Sequence, residues 1–141
     1  MPYREEDTSI YWIDSDTELA RAVESWGAII ALDTEFIRTN TFYPIPGLYQ
    51  VASNSNIFLI DPLLIEEWQP FKDYLLDPET VKVLHACQED LELIYAHLQI
   101  VPQNVVDTQL ANAYVSENYS LSYAKLVAVS YTHLRAHETT P

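Results

Sequence analysis

The sequence predicts an α/β domain with a mixed sheet flanked by helices. Two observations carry that expectation. Strand-like and helix-like segments alternate in the order strand, helix, three strands, helix, strand, helix, strand, helices. One of the strands, Ala28 to Leu32, is an unbroken apolar run without alternation, as in a strand buried on both faces at the centre of a sheet.

Ile10 to Ile13 is the first strand candidate. Ser15-Asp16-Thr17-Glu18 has the form of a capping box, and Leu19, Val23 and Trp26 follow at helical spacing. A helix is expected over Asp16 to Ser25, closed by Gly27. Leu48 to Val51 and Ile57 to Ile60 read as strands joined by the turn residues Ser53 to Asn56. With Ala28 to Leu32 they suggest an antiparallel meander.

A helix over Glu66 to Leu76 would bury Trp68, Phe71 and Leu75, and Asp77-Pro78 would end it. Val81 to Leu84 is strand-like. Gln88 to Leu98 is the clearest helix, with Cys87, Leu91, Ile94 and Leu98 in one stripe, broken by Pro102. Val105-Val106 can form a further short strand. Thr108 to Val115 and Ser120 to Val127 read as two helices. Ser130 to Pro141 lacks apolar periodicity and reads as a tail.

Composition narrows the function classes. The 141 residues carry 21 acidic and seven basic side chains, a net charge of −14, which argues against a partner held by a broad basic patch. It leaves room for carboxylates that hold cations. An apolar fraction of 48% suits a globular domain rather than a disordered one. A single cysteine, Cys87, excludes an internal disulfide and fits a reducing, cytoplasmic compartment. No run approaches the ~20 apolar residues of a membrane-spanning helix. The amino terminus lacks the pattern of a signal peptide.

Asp33-Thr34-Glu35 follows the apolar strand directly. Residues two apart in an extended chain share a side, so Asp33 and Glu35 would stand together at a strand end. Two neighbouring carboxylates repel unless a cation or a shared proton relieves them, and their oxygens suit Mg²⁺ or Mn²⁺. A bare D-x-E is more often a turn cap beside a solvated acid. Asp90, in the first turn of the clearest helix, can face the sheet; the helix dipole alone would also account for it. Asp107 reads as a helix N-cap, because Thr-Gln-Leu-Ala follows. His85 reads as a hydrogen-bonded structural residue.

Taken together, the motifs resemble the ribonuclease D family of 3′–5′ exonucleases. The resemblance rests on Ala31 to Pro44, Gly47 to Gln50, Leu59 to Pro62, Val83 to Glu92, Asp107 to Gln109 and Leu121 to Val127, in the family's order. It implies a ribonuclease H-like fold, an antiparallel meander plus parallel strands flanked by helices. It also implies a 3′–5′ exoribonuclease that uses two divalent ions, Mg²⁺ or Mn²⁺, held by Asp33, Glu35 and Asp90. Phe36, His85 and Glu89 would line the pocket for the terminal nucleotide. The implied partners are RNA 3′ ends, notably transfer RNA precursors, taken by a monomer with no membrane contact.

The family has a third motif, a tyrosine followed four residues later by a fourth aspartate. After Val127 the sequence has Tyr131 followed by Arg135. The expectation is therefore an incomplete, carboxyl-truncated exonuclease domain over residues 1–129, an unrelated or disordered tail over 130–141, and little or no nuclease activity of the chain by itself. Two other readings remain at this point: a proofreading-type DNA exonuclease, and a non-catalytic fragment that binds ions or RNA weakly.

Overall fold

The computed structural model describes residues 8–38 and 44–115. Its elements, in chain order, are β1 (Ser9–Ile13), α1 (Asp16–Ser25), β2 (Ile29–Ile37), β3 (Ile45–Ser53), β4 (Asn56–Ile60), α2 (Gln69–Leu76), β5 (Val81–Leu84), α3 (Gln88–Leu98), β6 (Val105–Asp107) and α4 (Thr108–Val115). The strands form one sheet in the order β1-β4-β3-β2-β5-β6. The β2-β3-β4 meander is antiparallel, and β1, β5 and β6 join in parallel. This is the mixed α/β sheet expected. The expected helix over Ser120 to Val127 and the tail lie outside the described residues.

Local chemistry explains most boundaries. Ser15 Oγ accepts from the Glu18 N–H and Glu18 takes the Asp14 N–H, so the capping box closes with its partner one residue early. Asn54 and Ser55 both hold left-handed φ values, 48° and 67°, as a two-residue hairpin turn with the right twist requires. Gly27 serves a different purpose from the left-handed cap expected. A Cβ there would meet the Asn54 amide at 3.2 Å, so the glycine allows the β3-β4 hairpin to approach the end of α1.

Three expectations are corrected. The acids Asp33 and Glu35 lie inside β2 rather than after it, because antiparallel pairing with β3 continues out to Ile37 opposite Ile45. The α2 helix starts at Gln69, not Glu66, because Asp16 Oδ1 accepts the Glu66 and Glu67 N–H groups and holds that segment off the helix. Finally, among the described residues β2 is covered on one face only. Ile30 and Leu32 are buried there, while Ile29 on the opposite face is 60% exposed.

The covered face packs against α1, α2 and α3. Tyr49, Phe71, Leu19, Ile60, Leu75, Leu93 and Ile94 are completely or almost completely excluded from solvent. Trp26, Phe58, Phe71 and Tyr74 meet edge to face around the Trp26 ring, and Tyr49 joins Trp68 and Phe71. On the other face, Ala31, Asp33, Gln50, Ala52, Val83 and His85 help line a cleft of about 500 Å³. No helix among the described residues is long and apolar enough to cross a membrane.

Lys82 is the least expected core member, fully buried in β5. Its ammonium donates to the carbonyls of Asp77 (2.7 Å), Thr80 (3.0 Å) and Gln103 (2.9 Å), and lies 5.7 Å from the Tyr74 ring centre. Burial pulls its pKa below the usual lysine value, and the negative charge of Asp77 partly restores it. One cation thus joins the turn entering β5 to the loop entering β6. Replacing it with the nearly isosteric methionine (Lys82→Met) leaves those carbonyls without their donor. We expect a loss of about 3 kcal/mol in urea unfolding.

Candidate active site

The site is built where β2 meets the start of α3. Along β2 the side chains alternate: Asp33 and Glu35 are exposed on the open face, and Thr34 between them is buried. That places the two acids on one side of the strand, as their spacing predicts. The register with β3 breaks between Glu35 and Phe36, leaving Gly47 as the extra residue on β3. A Cβ on Gly47 would come within 3.3 Å of the Glu35 carbonyl oxygen, so a glycine lets the two backbones close at the bulge.

Asp90 is buried in the first turn of α3 and faces the sheet. Its carboxylate accepts a hydrogen bond from the Thr34 hydroxyl, 56 residues away in the chain. Burial pushes the Asp90 pKa above the ordinary carboxyl value of 3.8; the Thr34 hydroxyl opposes this, and the charge of Asp33 adds to it. The charge of Asp33 therefore reaches Asp90 across the strand. Among the described residues, no three His, Cys, Asp or Glu side chains close into a metal-binding cage.

The start of α3 is held by Asp107 at the end of β6. Asp107 Oδ1 accepts from the N–H groups of Ala86 (3.0 Å), Gln109 (2.8 Å) and Leu110 (3.4 Å), and Oδ2 from that of Cys87 (2.9 Å). It caps α4, as read from the sequence, and in addition the approach to α3, whose own N-cap residue, Cys87, makes no side-chain cap. Burial alone would raise the Asp107 pKa. The Cys87 N–H and thiol, with the Ala86 and Gln109 N–H groups, outweigh burial and hold it below the usual value. Burial, assisted by Asp107, pushes the Cys87 thiol up to about 11, so it is a protonated core group.

The remaining predicted residues surround this junction. His85 Nδ1 lies 2.8 Å from Thr108 Oγ1, which itself donates to the Leu84 carbonyl, and His85 borders the cleft beside Asp33. Phe36 is half-buried against the core, and Glu89 is exposed in the first turn of α3. Thr34 and the second role of Asp107 were not identified from sequence. A threonine between two acids carries no distinctive signal, and the Asp107 contacts with Ala86 and Cys87 depend on the β5-β6 register.

Comparison with known proteins places the chain in a class. A family model described as 3′–5′ exonuclease matches residues 10–136. The chain belongs to the 3′–5′ exonuclease family.

Within it, the similarity is to ribonuclease D. The Pseudomonas paraeruginosa ribonuclease D is 48% identical over 120 residues, covering 84% of this chain and 32% of the relative. The crystal structure of Escherichia coli RNase D, an exoribonuclease involved in structured RNA processing, superposes with a TM-score of 0.76 at 39% identity. That match covers 90% of this chain and 32% of the other. The Trypanosoma brucei RNase D complex with RNA U12 superposes at 0.66 with 27% identity, covering 75% of this chain and 40% of the other. The chain spans about a third of the length of the ribonuclease D relatives it matches.

Two outcomes follow from the carboxylates. A carboxyl whose pKa rises on folding holds its proton more tightly when folded, so ionised Asp90 costs stability as pH climbs past 3.8. Asp90→Asn removes that cost and keeps an oxygen for Thr34. In chelator at neutral pH it should melt at or above the unaltered chain, with a gain of up to about 1 kcal/mol. Asp107 has the opposite sign: its stabilisation is present above the unfolded pKa and is lost as pH falls through the depressed one. Asp107→Asn should cost about 1–2 kcal/mol at neutral pH. That deficit should shrink as the medium is acidified below about pH 4 in a series of thermal melts.

Proposed function

We propose that this chain carries the site of a metal-dependent 3′–5′ exoribonuclease of the ribonuclease D type. It would remove nucleotides from RNA 3′ ends, transfer RNA precursors among them, acting in the cytoplasm as a monomer. One observation carries the reading: a buried acid on α3, Asp90, is held by the residue between two exposed acids of β2 and destabilised by the charge of one of them. Such an arrangement is costly unless a cation occupies it. The RNA-bound and exoribonuclease relatives support RNA as the substrate class.

The donor set is all carboxylate oxygen, which fits Mg²⁺ or Mn²⁺. Asp33 and Glu35 would offer oxygens from the open face of β2, and Asp90 from the first turn of α3 behind the strand. When bound, paired ions supply an activated water and stabilise the leaving 3′ oxygen of an in-line displacement. The protein's own work is positional. Thr34 fixes the Asp90 rotamer, and Asp107 fixes the turn on which Asp90 stands. Phe36, His85 and Glu89 would line the pocket for a terminal nucleotide, as the family resemblance implies.

Asp33, Glu35 and Asp90 correspond to three of the four acids implied by the family resemblance, so we expect cation binding with little or no turnover. Mg²⁺ or Mn²⁺ should raise the melting midpoint of the chain, and Asp33→Ala should abolish the rise; at a hundred times the dissociation constant the gain is about 2.7 kcal/mol. Any shortening of a 5′-labelled oligoribonucleotide from its 3′ end should be slow at most, and chelator or Asp33→Ala should stop it. A melting midpoint indifferent to both cations, or shortening indifferent to Asp33, would overturn the reading.

A further inference from the structure

Arg38 and Glu92 form an ion pair, Nη2 to Oε2 at 3.2 Å. Arg38 is the first residue after β2, and Glu92 stands in α3 two residues beyond Asp90. The pair therefore spans the same β2-α3 junction that Thr34 and Asp90 close from the inside, but at the surface, with the side chains 47% and 48% exposed. A half-exposed pair of this kind contributes little to stability, so exchanging one partner costs the fold little.

Its surroundings are anionic. Asp33, Glu35, Glu89 and Asp90 stand on the same two elements, in a chain with a net charge of −14. A polyanion approaching this junction is repelled by every carboxylate that does not hold a cation. A guanidinium carries five donors in a planar fork that fits two phosphate oxygens. Carboxylate and phosphodiester are both acceptors of that fork, so one can replace the other without any covalent step.

We infer that Arg38 is a phosphate-positioning residue that exchanges Glu92 for a backbone phosphate of the RNA strand leading to the acids. Glu92 holds the guanidinium at the junction when no strand is present and competes with the strand for it. The inference rests on the exonuclease reading of the same site. It goes beyond that reading by assigning a cation to the strand and a competing role to Glu92.

The test is the affinity of the whole chain for a 5′-fluorescein oligouridylate, measured by anisotropy in Ca²⁺ over a series of salt concentrations, with melts in parallel. Glu92→Gln should tighten binding several-fold. Arg38→Gln should weaken it about ten-fold and reduce the slope of log affinity against log salt by about 0.7, one phosphate contact on a single strand. Arg38→Lys should restore the slope but not the full affinity, because a point charge replaces a fork. None of these should move the melting midpoint by more than about 2 °C. If Glu92→Gln and Arg38→Gln weaken binding alike and lower the midpoint together, the pair is structural and the inference falls. If binding ignores both substitutions, the inference falls and the exonuclease reading stands. If the unaltered chain does not bind the oligonucleotide, both fall.

Discussion

The Asp107 carboxylate is the constraint on which the site depends. Helix starts expose N–H groups with no intrahelical partner. Here a single side chain supplies acceptors at two of them, the start of α4 and the turn leading into α3. It can do so because the parallel register sets Leu84 of β5 beside Asp107 of β6. The connection from β5 to α3 then has little choice of path. Ala86 takes a left-handed φ of 51°, a conformation that costs a residue with a Cβ about 1–2 kcal/mol. The charge-assisted bonds to Ala86 and Cys87 offset that cost. Asp90 follows three residues after Cys87, so its position is set by a carboxylate outside the candidate site.

The two faces of the sheet divide the labour. On one, aromatic and aliphatic side chains interlock around Trp26, Tyr49 and Phe71, and Lys82 gathers three carbonyls at their margin. On the other, Ala31 and Ala52 flank Asp33 with small side chains, leaving room beside the acid. Thr34 links the two. Its backbone belongs to the strand carrying Asp33 and Glu35, while its hydroxyl reaches the helix packed behind. A rigid core thereby positions groups that would repel one another if left alone.

Much of this was legible in the sequence, and the limits have physical causes. Periodicity and punctuation located α1, α3, α4, the β3-β4 hairpin and the spacing of Asp33 and Glu35, because each depends on neighbours in the chain. The extent of β2 was underestimated because its polar end, Asp33 to Glu35, is stabilised by pairing with β3 rather than by its own propensity. The apolar run beginning at Ala28 suggested burial on both sides; apolar residues can also line a cleft, as Ile29 and Ala31 do. The helical position of Asp90 allowed it to face the sheet without requiring it, and in the structure it does. Its partner Thr34, the buried Lys82 and the Arg38–Glu92 pair were not read, since each joins residues brought together only by tertiary structure.

The parallel pairings also order events in time. The β3-β4 hairpin closes through two residues, a step that takes microseconds. Thr34 and Asp90 are separated by 56 positions, and the pairing of Ile29 with Val81 encloses the whole hairpin and α2. Closing so long a loop costs entropy before any contact returns it, and such pairings form late. The local half of the sheet can therefore exist before α3 docks behind Thr34. A nascent chain can hold a formed hairpin before the Thr34 hydroxyl reaches Asp90, and that bond closes only once β5 has docked beside β2.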